Sequence, residues 1–361
     1  MSGGAIGPAE LEAPPAGVLA AWGMAGHASE RVRGGLINTT FLVRGRGEEP
    51  PLVLQRLHPI FAAEVNIDID AVTEHLATAG LVTPRLVRTV AGERWLALGG
   101  AVWRGLTYVD GVTLHEMPDP VHAETAGALV GRFHRALSDL DHEFVFQRAG
   151  VHDTAAHLRR LAQAIEAAPG DGNGAKLVAE AVAVGREILE AGARLPPAGD
   201  LPRRPMHGDL KVSNILFARA APPSAVSIID LDTLGRQTVA YEMGDALRSW
   251  CNPDGEDTVD TRFDLELFAG AVRGYASGLD GLLGPAEIES LASGVEIVCV
   301  ELAARFCVDV FDDRYFGWSP ERFPSRRHHN LVRARGQLTL ARGVARARSA
   351  ARERLAAAFG A

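Results

Sequence analysis

The stretch Pro205-Met206-His207-Gly208-Asp209-Leu210-Lys211-Val212-Ser213-Asn214-Ile215-Leu216-Phe217, answered by Ile228-Ile229-Asp230-Leu231-Asp232-Thr233, decides how this chain folds. A carboxylate, Asp209, is followed two residues on by a cation, Lys211, and five residues on by an amide, Asn214. A second pair of carboxylates, Asp230 and Asp232, stands at the end of an apolar run. Ile215-Leu216-Phe217 and Val226-Ser227-Ile228-Ile229 are short apolar runs, and Ala220-Ala221-Pro222-Pro223-Ser224 between them is a turn signal. They predict a hairpin with Asn214 and Asp230 at one end and a loop bearing Asp209 leading into it.

This inventory is what phosphoryl transfer from a nucleotide requires. Asp209 can accept the proton of an attacking hydroxyl, Asn214 and Asp230 can hold Mg²⁺ against phosphates, and Lys211 can neutralise charge on the transferred group. Asp232 can share a second metal or cap the turn, and the residues leave both open. The order and spacing match a protein-kinase catalytic loop followed by a metal-binding Asp on the next strand. His207 is expected to pack and fix the loop rather than to react.

Upstream, residues 1–15 are rich in Gly, Ala and Pro and read as a flexible N-terminus. A short helix is expected at 17–26. Arg31 to Val43 reads as strand, glycine turn and strand, and Leu52 to Leu57 as a third strand. Backbone N–H groups at Gly34 and Gly35, next to Asn38, would approach ATP phosphates with no Cβ in the way. Alternation puts Leu54 and Arg56 on one face and Val53 and Gln55 on the other. The first face is expected to look toward the phosphates, because Arg56 can pair with them and Gln55 cannot. Asn66 to Thr78 reads as an amphipathic helix, whose Asp68, Asp70 and Glu74 are all candidates to hold Arg56. Pro84–Val87 and Trp95–Leu98 read as further strands, and Ala101 to Gly111 as a strand and hinge.

From about Pro120 the pattern turns helical, with helices expected at 123–138, 153–168, 175–193, 265–278, 285–311 and 330–358. The fold class is therefore α+β: a two-lobed, protein-kinase-like fold with a small antiparallel-sheet N-terminal lobe and a mainly helical C-terminal lobe. The ATP-binding lobe spans 16–110 and the catalytic and substrate-binding lobe 111–361.

Composition agrees with an ordinary soluble domain pair. The chain has 361 residues, 47% hydrophobic and 23% charged, with a net charge of −8, which argues against nucleic acid or an anionic membrane as partner. Cys251, Cys299 and Cys307 are isolated, as in a reducing, cytoplasmic protein. The N-terminus lacks a basic start and an apolar block, and no uncharged run reaches membrane-spanning length. The arginine-rich segment 333–354 has no interleaved aromatics and reads as a solvated helix face.

On His207-Gly208-Asp209 through Asn214 and Ile229-Asp230-Leu231-Asp232, the sequence resembles the aminoglycoside phosphotransferase/choline kinase superfamily. Further blocks are similar to the N-acetylhexosamine 1-kinases, among them Leu54-Gln55-Arg56-Leu57, Trp103-Arg104, Gly131-Arg132-Phe133-His134, Gly244-Asp245-Ala246-Leu247-Arg248 and Glu301-Leu302-Ala303-Ala304-Arg305-Phe306. They run in the family's order from about residue 30 to 345. The resemblance implies transfer of the ATP γ-phosphate to the anomeric hydroxyl of a hexosamine, with Asp209 as base and Asn214 and Asp230 as magnesium ligands. Arg305 and Asp309, one helical turn apart, would project toward the sugar. The sequence departs from the kinase pattern in offering Arg56 beside Gln55 where many kinases have lysine, and in a basic loop at Ser325-Arg326-Arg327-His328-His329.

Single residues carry plainer readings too. Asp245, after Gly244, is expected at a helix start, capping or bonding the catalytic-loop backbone. Asp153 is expected to cap a helix. Arg305, in an apolar helix, must either bridge Asp309 or meet a substrate. A rival acceptor, an aminoglycoside or other amino-alcohol, would need an acidic cleft, which Asp254, Glu256, Asp257, Asp260 and Asp264 could supply. A non-catalytic nucleotide-binding protein would be expected to lack one of Asp209, Asn214 and Asp230, and all three are present.

Overall fold

A computed structural model describes residues 11–32, 37–146, 150, 152–168, 175–197 and 199–360. The chain forms two compact units. Among the described residues the first takes in 11–110, 139–146 and 227–234, and the second the remainder. The first unit is thus not one contiguous stretch, as the 16–110 division expected: two later segments belong to it, and one of them carries Asp230 and Asp232.

The first unit contains α1 (Ala16–Ala21), β1 (Ser29–Val32), β2 (Thr39–Val43), β3 (Leu52–Arg56), α2 (Val65–Thr78), β4 (Leu86–Val87), β5 (Leu96–Leu98) and β6 (Ala101–Thr107). The strands make an antiparallel sheet in the order β1-β2-β3-β6-β4, with β5 also paired to β6. Leu52 and Leu54 of β3 join Phe41, Val43 and Trp103 in a core closed by Val18 and Trp22 of the α1 segment. That core decides the facing of β3. The Leu54 side, which Arg56 shares, is the buried side, and Val53 and Gln55 lie on the opposite side. Residues 139–146 belong here because the Asp68 carboxylate of α2 accepts the backbone N–H groups of Val145 and Phe146 and a bond from His142 Nε2.

The second unit holds β7 (Val112–Thr113), α3 (Pro120–Ala136), α4 (Thr154–Glu166), α5 (Ala175–Gly192), β8 (Arg203–Met206), β9 (Ile215–Phe217) and β10 (Ala225–Ile228), whose last two residues pass into the first unit. It continues with β11 (Gly235–Thr238), α6 (Val239–Trp250), α7 (Leu265–Leu279), α8 (Pro285–Asp312) and α9 (Arg326–Phe359). β10, β9 and β7 form one small sheet, and β8 pairs with β11 in a separate ribbon. Sequence periodicity did not show the ribbon, and the helix expected to start at Asp245 begins earlier, at Val239. β8 reads Arg203-Arg204-Pro205-Met206, without alternation, and a two-stranded edge tolerates its proline. Asp119 and Asp153 cap α3 and α4 through the N–H groups of Val121, His122 and Ala156.

The basic and acidic stretches are tied to each other. Arg326 and Arg327 do not form a loop: they lie in the first turn of α9 and donate to the carbonyls of Asp313 and Val310, at and just beyond the end of α8. Farther along α9, Arg335 and Arg342 pair with Glu180 and Glu187 of α5, Arg348 and Arg352 with Glu296 and Glu289 of α8, and Arg354 with Glu266 of α7. The arginine-rich segment is therefore a solvated face that is also laced by ion pairs to neighbouring helices. All three cysteines are buried free thiols, and among the described residues no helix is long and apolar enough to cross a membrane.

α3 and α7 approach through glycines. A Cβ on Gly274 would stand 1.8 Å from the Glu124 carbonyl, and one on Gly127 2.1 Å from the Ala271 carbonyl. Gly274→Ala is expected to lower stability by about 1–3 kcal/mol or more through forced separation of the helices. Gly317→Ala, where nothing lies within 4 Å, should change it by less than about 0.5 kcal/mol. Denaturant midpoints of the two variants check this difference.

Candidate active site

In the second unit, β8 delivers the chain to His207, and α6 holds the loop from there to Val212. The Glu242 carboxylate accepts the backbone N–H of His207 at 2.8 Å and of Gly208 at 2.8 Å. Ser249 Oγ accepts the N–H of Val212, and Trp250 Nε1 donates to the Leu210 carbonyl. Gly208 lies at φ +84°, a conformation open to glycine, which lets both N–H groups converge on one carboxylate. Glu242 also meets His134 Nε2, whose Nδ1 faces the Tyr275 hydroxyl at 2.8 Å. Because a carboxylate can only accept here, His134 Nε2 donates to Glu242. Burial pushes the Glu242 carboxyl up, but His134 and the Gly208 N–H outweigh it and hold the group below the usual carboxylate range.

Asp209 sits on this loop with Lys211 Nζ at 2.7 Å and Asn214 Nδ2 at 3.1 Å from its Oδ2. Asn214 Nδ2 also donates to the Asp209 carbonyl at 2.7 Å, which fixes the amide so that Oδ1 is the atom it could offer a cation. Burial raises the Asp209 carboxyl, yet the charge and hydrogen bond of Lys211 bring it below the usual range. Asp245 is raised, first by burial and then by the charge of Asp209, against the pull of Arg248. Of the two carboxyls Asp209 is the more readily ionised, and its side chain is the more accessible, 26% against 10%. Asp245 lies inside α6 rather than at a helix start and pairs with Arg248, while Glu242, one turn earlier, makes the bonds to the catalytic-loop backbone that were expected of Asp245. His207 is fully buried, and its Nδ1 accepts the Asp209 N–H.

In the first unit, Asp232 and Arg104 are each 1% exposed and form a bidentate ion pair. Asp232 Oδ2 also accepts from Asn38 Nδ2 at 2.6 Å. Both oxygens are thus engaged, and Asp232 is the hub of a buried polar cluster. Asn38 spends its other side-chain atom on the His58 N–H, so its side chain is tied into this cluster. The arginine facing Asp232 is Arg104 of β6, which stands opposite Gln55, rather than Arg56. Asp68 is committed to residues 142–146 and Asp70 to Arg88 and Arg94, while Glu74 is exposed. Gly34 and Gly35 lie outside the described residues. Asp230 is half-buried in a left-handed conformation at φ 65° just before the 3-10 turn Leu231–Thr233.

Arg305 and Asp309 of α8 part company. Asp309 is buried and accepts the backbone N–H groups of Arg314, Tyr315 and Phe316 and a bond from Asn330 Nδ2. It closes the α8–α9 connection and has no capacity left for a sugar. Arg305 does not bridge to it; its guanidinium lies over the rings of Tyr315 and Phe316, at 5.9 and 5.6 Å. One turn before Arg305, the fully buried Glu301 binds His152 and Thr154. Arg104 and Glu242 were missed from sequence, although each announces itself as a charge inside an otherwise buried run, Trp103 to Leu106 and Val239 to Trp250.

A family model described as the phosphotransferase enzyme family matches residues 29–278. A homoserine kinase from Methylobacterium radiotolerans is 27% identical over 234 residues, 64% of this chain and 64% of that protein. Another from Gluconacetobacter diazotrophicus is 29% identical over 238 residues, 65% and 68% of the two chains. The match thus spans just under two thirds of the first of these relatives. An aminoglycoside phosphotransferase from Alicyclobacillus acidocaldarius superposes with a TM-score of 0.63 at 16% identity, covering 96% of this chain and 99% of that one. A microcompartment-associated aminopropanol kinase gives a TM-score of 0.60 at 18% identity, covering 94% and 98%. These two show that the fold is shared.

The lowered Asp209 carboxyl has a direct consequence for pH dependence. A general base works ionised, so the acid limb of kcat/KM should lie below the ordinary carboxylate range. Lys211→Met removes the lowering influence and leaves burial, so the limb should move to higher pH as the rate falls. pH–rate profiles of the two proteins check this; an unmoved limb would separate Lys211 from the ionisation of Asp209.

Proposed function

The chain belongs to the phosphotransferase enzyme family, and on that premise we propose that it transfers the γ-phosphate of ATP, with Mg²⁺, to a hydroxyl of a small polar acceptor. We infer further that the acceptor is a sugar, the anomeric 1-hydroxyl of an N-acetylhexosamine. The observation that carries the reaction type is the state of Asp209: ionised, held between Lys211 and Asn214, on a loop whose backbone is fastened to α6.

In this reading Asp209 orients the acceptor hydroxyl and takes its proton as the new O–P bond forms and the bond from the γ-phosphorus to the departing ADP oxygen breaks. Lys211 keeps Asp209 ionised and offsets charge on the moving phosphoryl group. Asn214 Oδ1 and Asp230 are the proposed magnesium ligands. One amide oxygen and one carboxylate fit a cation that keeps waters and takes its remaining ligands from phosphates. When bound, the ion would neutralise charge on the phosphate oxygens.

The sugar assignment rests on the resemblance of the 301–306 and 244–248 blocks and on the surroundings of Arg305. A guanidinium spread over two aromatic rings offers in-plane donors to hydroxyl or acetamide oxygens. A polycationic acceptor is less well served. Within 254–264, Asp254 pairs with Arg262, Glu256 with Arg248, and Asp257 with Arg322 and Arg333, while Asp264 caps α7. A second acceptor class, a hydroxy amino acid, draws support from the homoserine kinases among the relatives. It also draws on Arg305, which forms no ion pair among the described residues and could receive a substrate carboxylate.

Coupled measurement of ADP release over free N-acetylhexosamines, homoserine and aminoglycosides tests the proposal, with phosphorus NMR on the product. An anomeric phosphate supports the sugar reading; turnover of homoserine alone replaces it with the amino-acid reading. No turnover of any acceptor by a protein that binds Mg²⁺ and nucleotide would overturn both. Asp209→Asn is expected to cost about 10²–10⁴ in kcat with ATP still bound. Arg305→Ala should raise the acceptor KM about 10–100-fold and leave the ATP KM unchanged, since a hydrogen bond to a charged group is worth about 1.5–3 kcal/mol.

A further inference from the structure

We infer that Arg104 is a positioning residue for the metal-binding loop: through Asp232 it holds Asp230 in the backbone conformation that presents its carboxylate to the magnesium of a bound nucleotide. The inference rests on the phosphotransfer reading above but not on the identity of the acceptor.

The network is continuous, with the buried Arg104–Asp232 pair at its centre and half-buried Thr40, Gln55 and His58 at its edge. Gln55 Nε2 donates to Thr40 Oγ1 at 3.1 Å, and Gln55 Oε1 accepts from Arg104 Nε and Nη2 at 2.9 and 2.6 Å. Arg104 then grips both oxygens of Asp232, which Asn38 binds from its other side. Asn38 is itself fixed by the His58 N–H. The side chains on the Gln55 side of the sheet are used here to hold a loop. Gln55 suits this task because a neutral acceptor orients a guanidinium without competing with Asp232 for its charge.

The backbone supplies the reason a clamp is needed. Asp230 is left-handed at φ 65°, ψ 56°, a region that costs an aspartate less than most residues but more than glycine, so its surroundings must hold it there. Two residues later the chain is pinned by Asp232, and Leu231 between them is buried, with the 231–233 turn packed on α2. Without the clamp the turn can relax and Asp230 can leave this conformation. With both its oxygens engaged, Asp232 contributes to metal binding through its neighbour.

The test is calorimetric binding of ADP with and without MgCl₂, which needs no turnover. In the wild-type protein Mg²⁺ should tighten ADP binding, and Asp230→Asn should abolish that gain. Arg104→Gln should reduce the gain about 10–100-fold, the range for residues that orient a metal ligand, while metal-free ADP binding stays within about twofold. Because that variant strands a buried carboxylate, Arg104→Gln/Asp232→Asn is measured beside it; it removes both charges and should show the same loss in a folded protein. A wild-type gain in either variant overturns the inference. So would a larger gain in Arg104→Gln, which would make Asp232 a ligand freed by the change. Unfolding of both variants counts against it as well, since Arg104 would then hold the core rather than the loop. If wild type shows no gain from Mg²⁺, the phosphotransfer reading fails too; a gain lost in Asp230→Asn but kept in Arg104→Gln removes this inference alone.

Discussion

The buried carboxylate of Glu242 is the constraint on which the second unit turns. The segment from His207 to Val212 has no ladder partners of its own, yet it runs through the interior, where unpaired backbone groups are costly. α6 supplies the partners: Glu242 for two N–H groups, Ser249 for a third and Trp250 for a carbonyl. A helix thus acts as a template for an irregular loop. The carboxylate is in turn secured by His134 and Tyr275, so the same polar chain ties α6 to α3 and α7. The close glycine-lined approach of α3 and α7 belongs to the same construction, because it sets where His134 and Tyr275 can meet.

Much of the architecture was legible in the sequence where the signal is local. The helices at 65–78, 120–136, 265–279 and 285–312 follow from apolar spacing, and the strands at 215–217 and 225–228 from short apolar runs about a turn signal. What escaped was what depends on distant partners. The choice between Arg56 and Gln55 could not be made from alternation alone, because the inner face of β3 is defined by Trp22 and Val18, more than thirty residues earlier. Glu242 and Arg104 lie far in sequence from the loop segments they hold, and no spacing rule links them. Asp309 misled because a carboxylate one turn from an arginine suggests a pair, whereas three N–H groups just beyond the helix end claimed it first.

Charge told a similar story. Runs such as 254–264 and 326–329 look like binding surfaces when read along the chain. In the fold they are largely consumed by arginines and aspartates brought from other elements or by the ends of helices. The site's electrostatics therefore come from a few groups held against burial, Asp209 with Lys211 and Asp245 with Arg248, rather than from the sum of nearby charged residues.

The left-handed backbone at Asp230 bears on how such a protein can lose its chemistry. Glycine, asparagine and aspartate are the residues that visit this region routinely. The two simplest replacements that delete the carboxylate are therefore also the two the backbone accepts most readily. A descendant carrying either would fold and clear cellular quality control, yet lack that carboxylate. Selection for stability is blind to the change, so an aspartate at this position reports selection on chemistry rather than on folding.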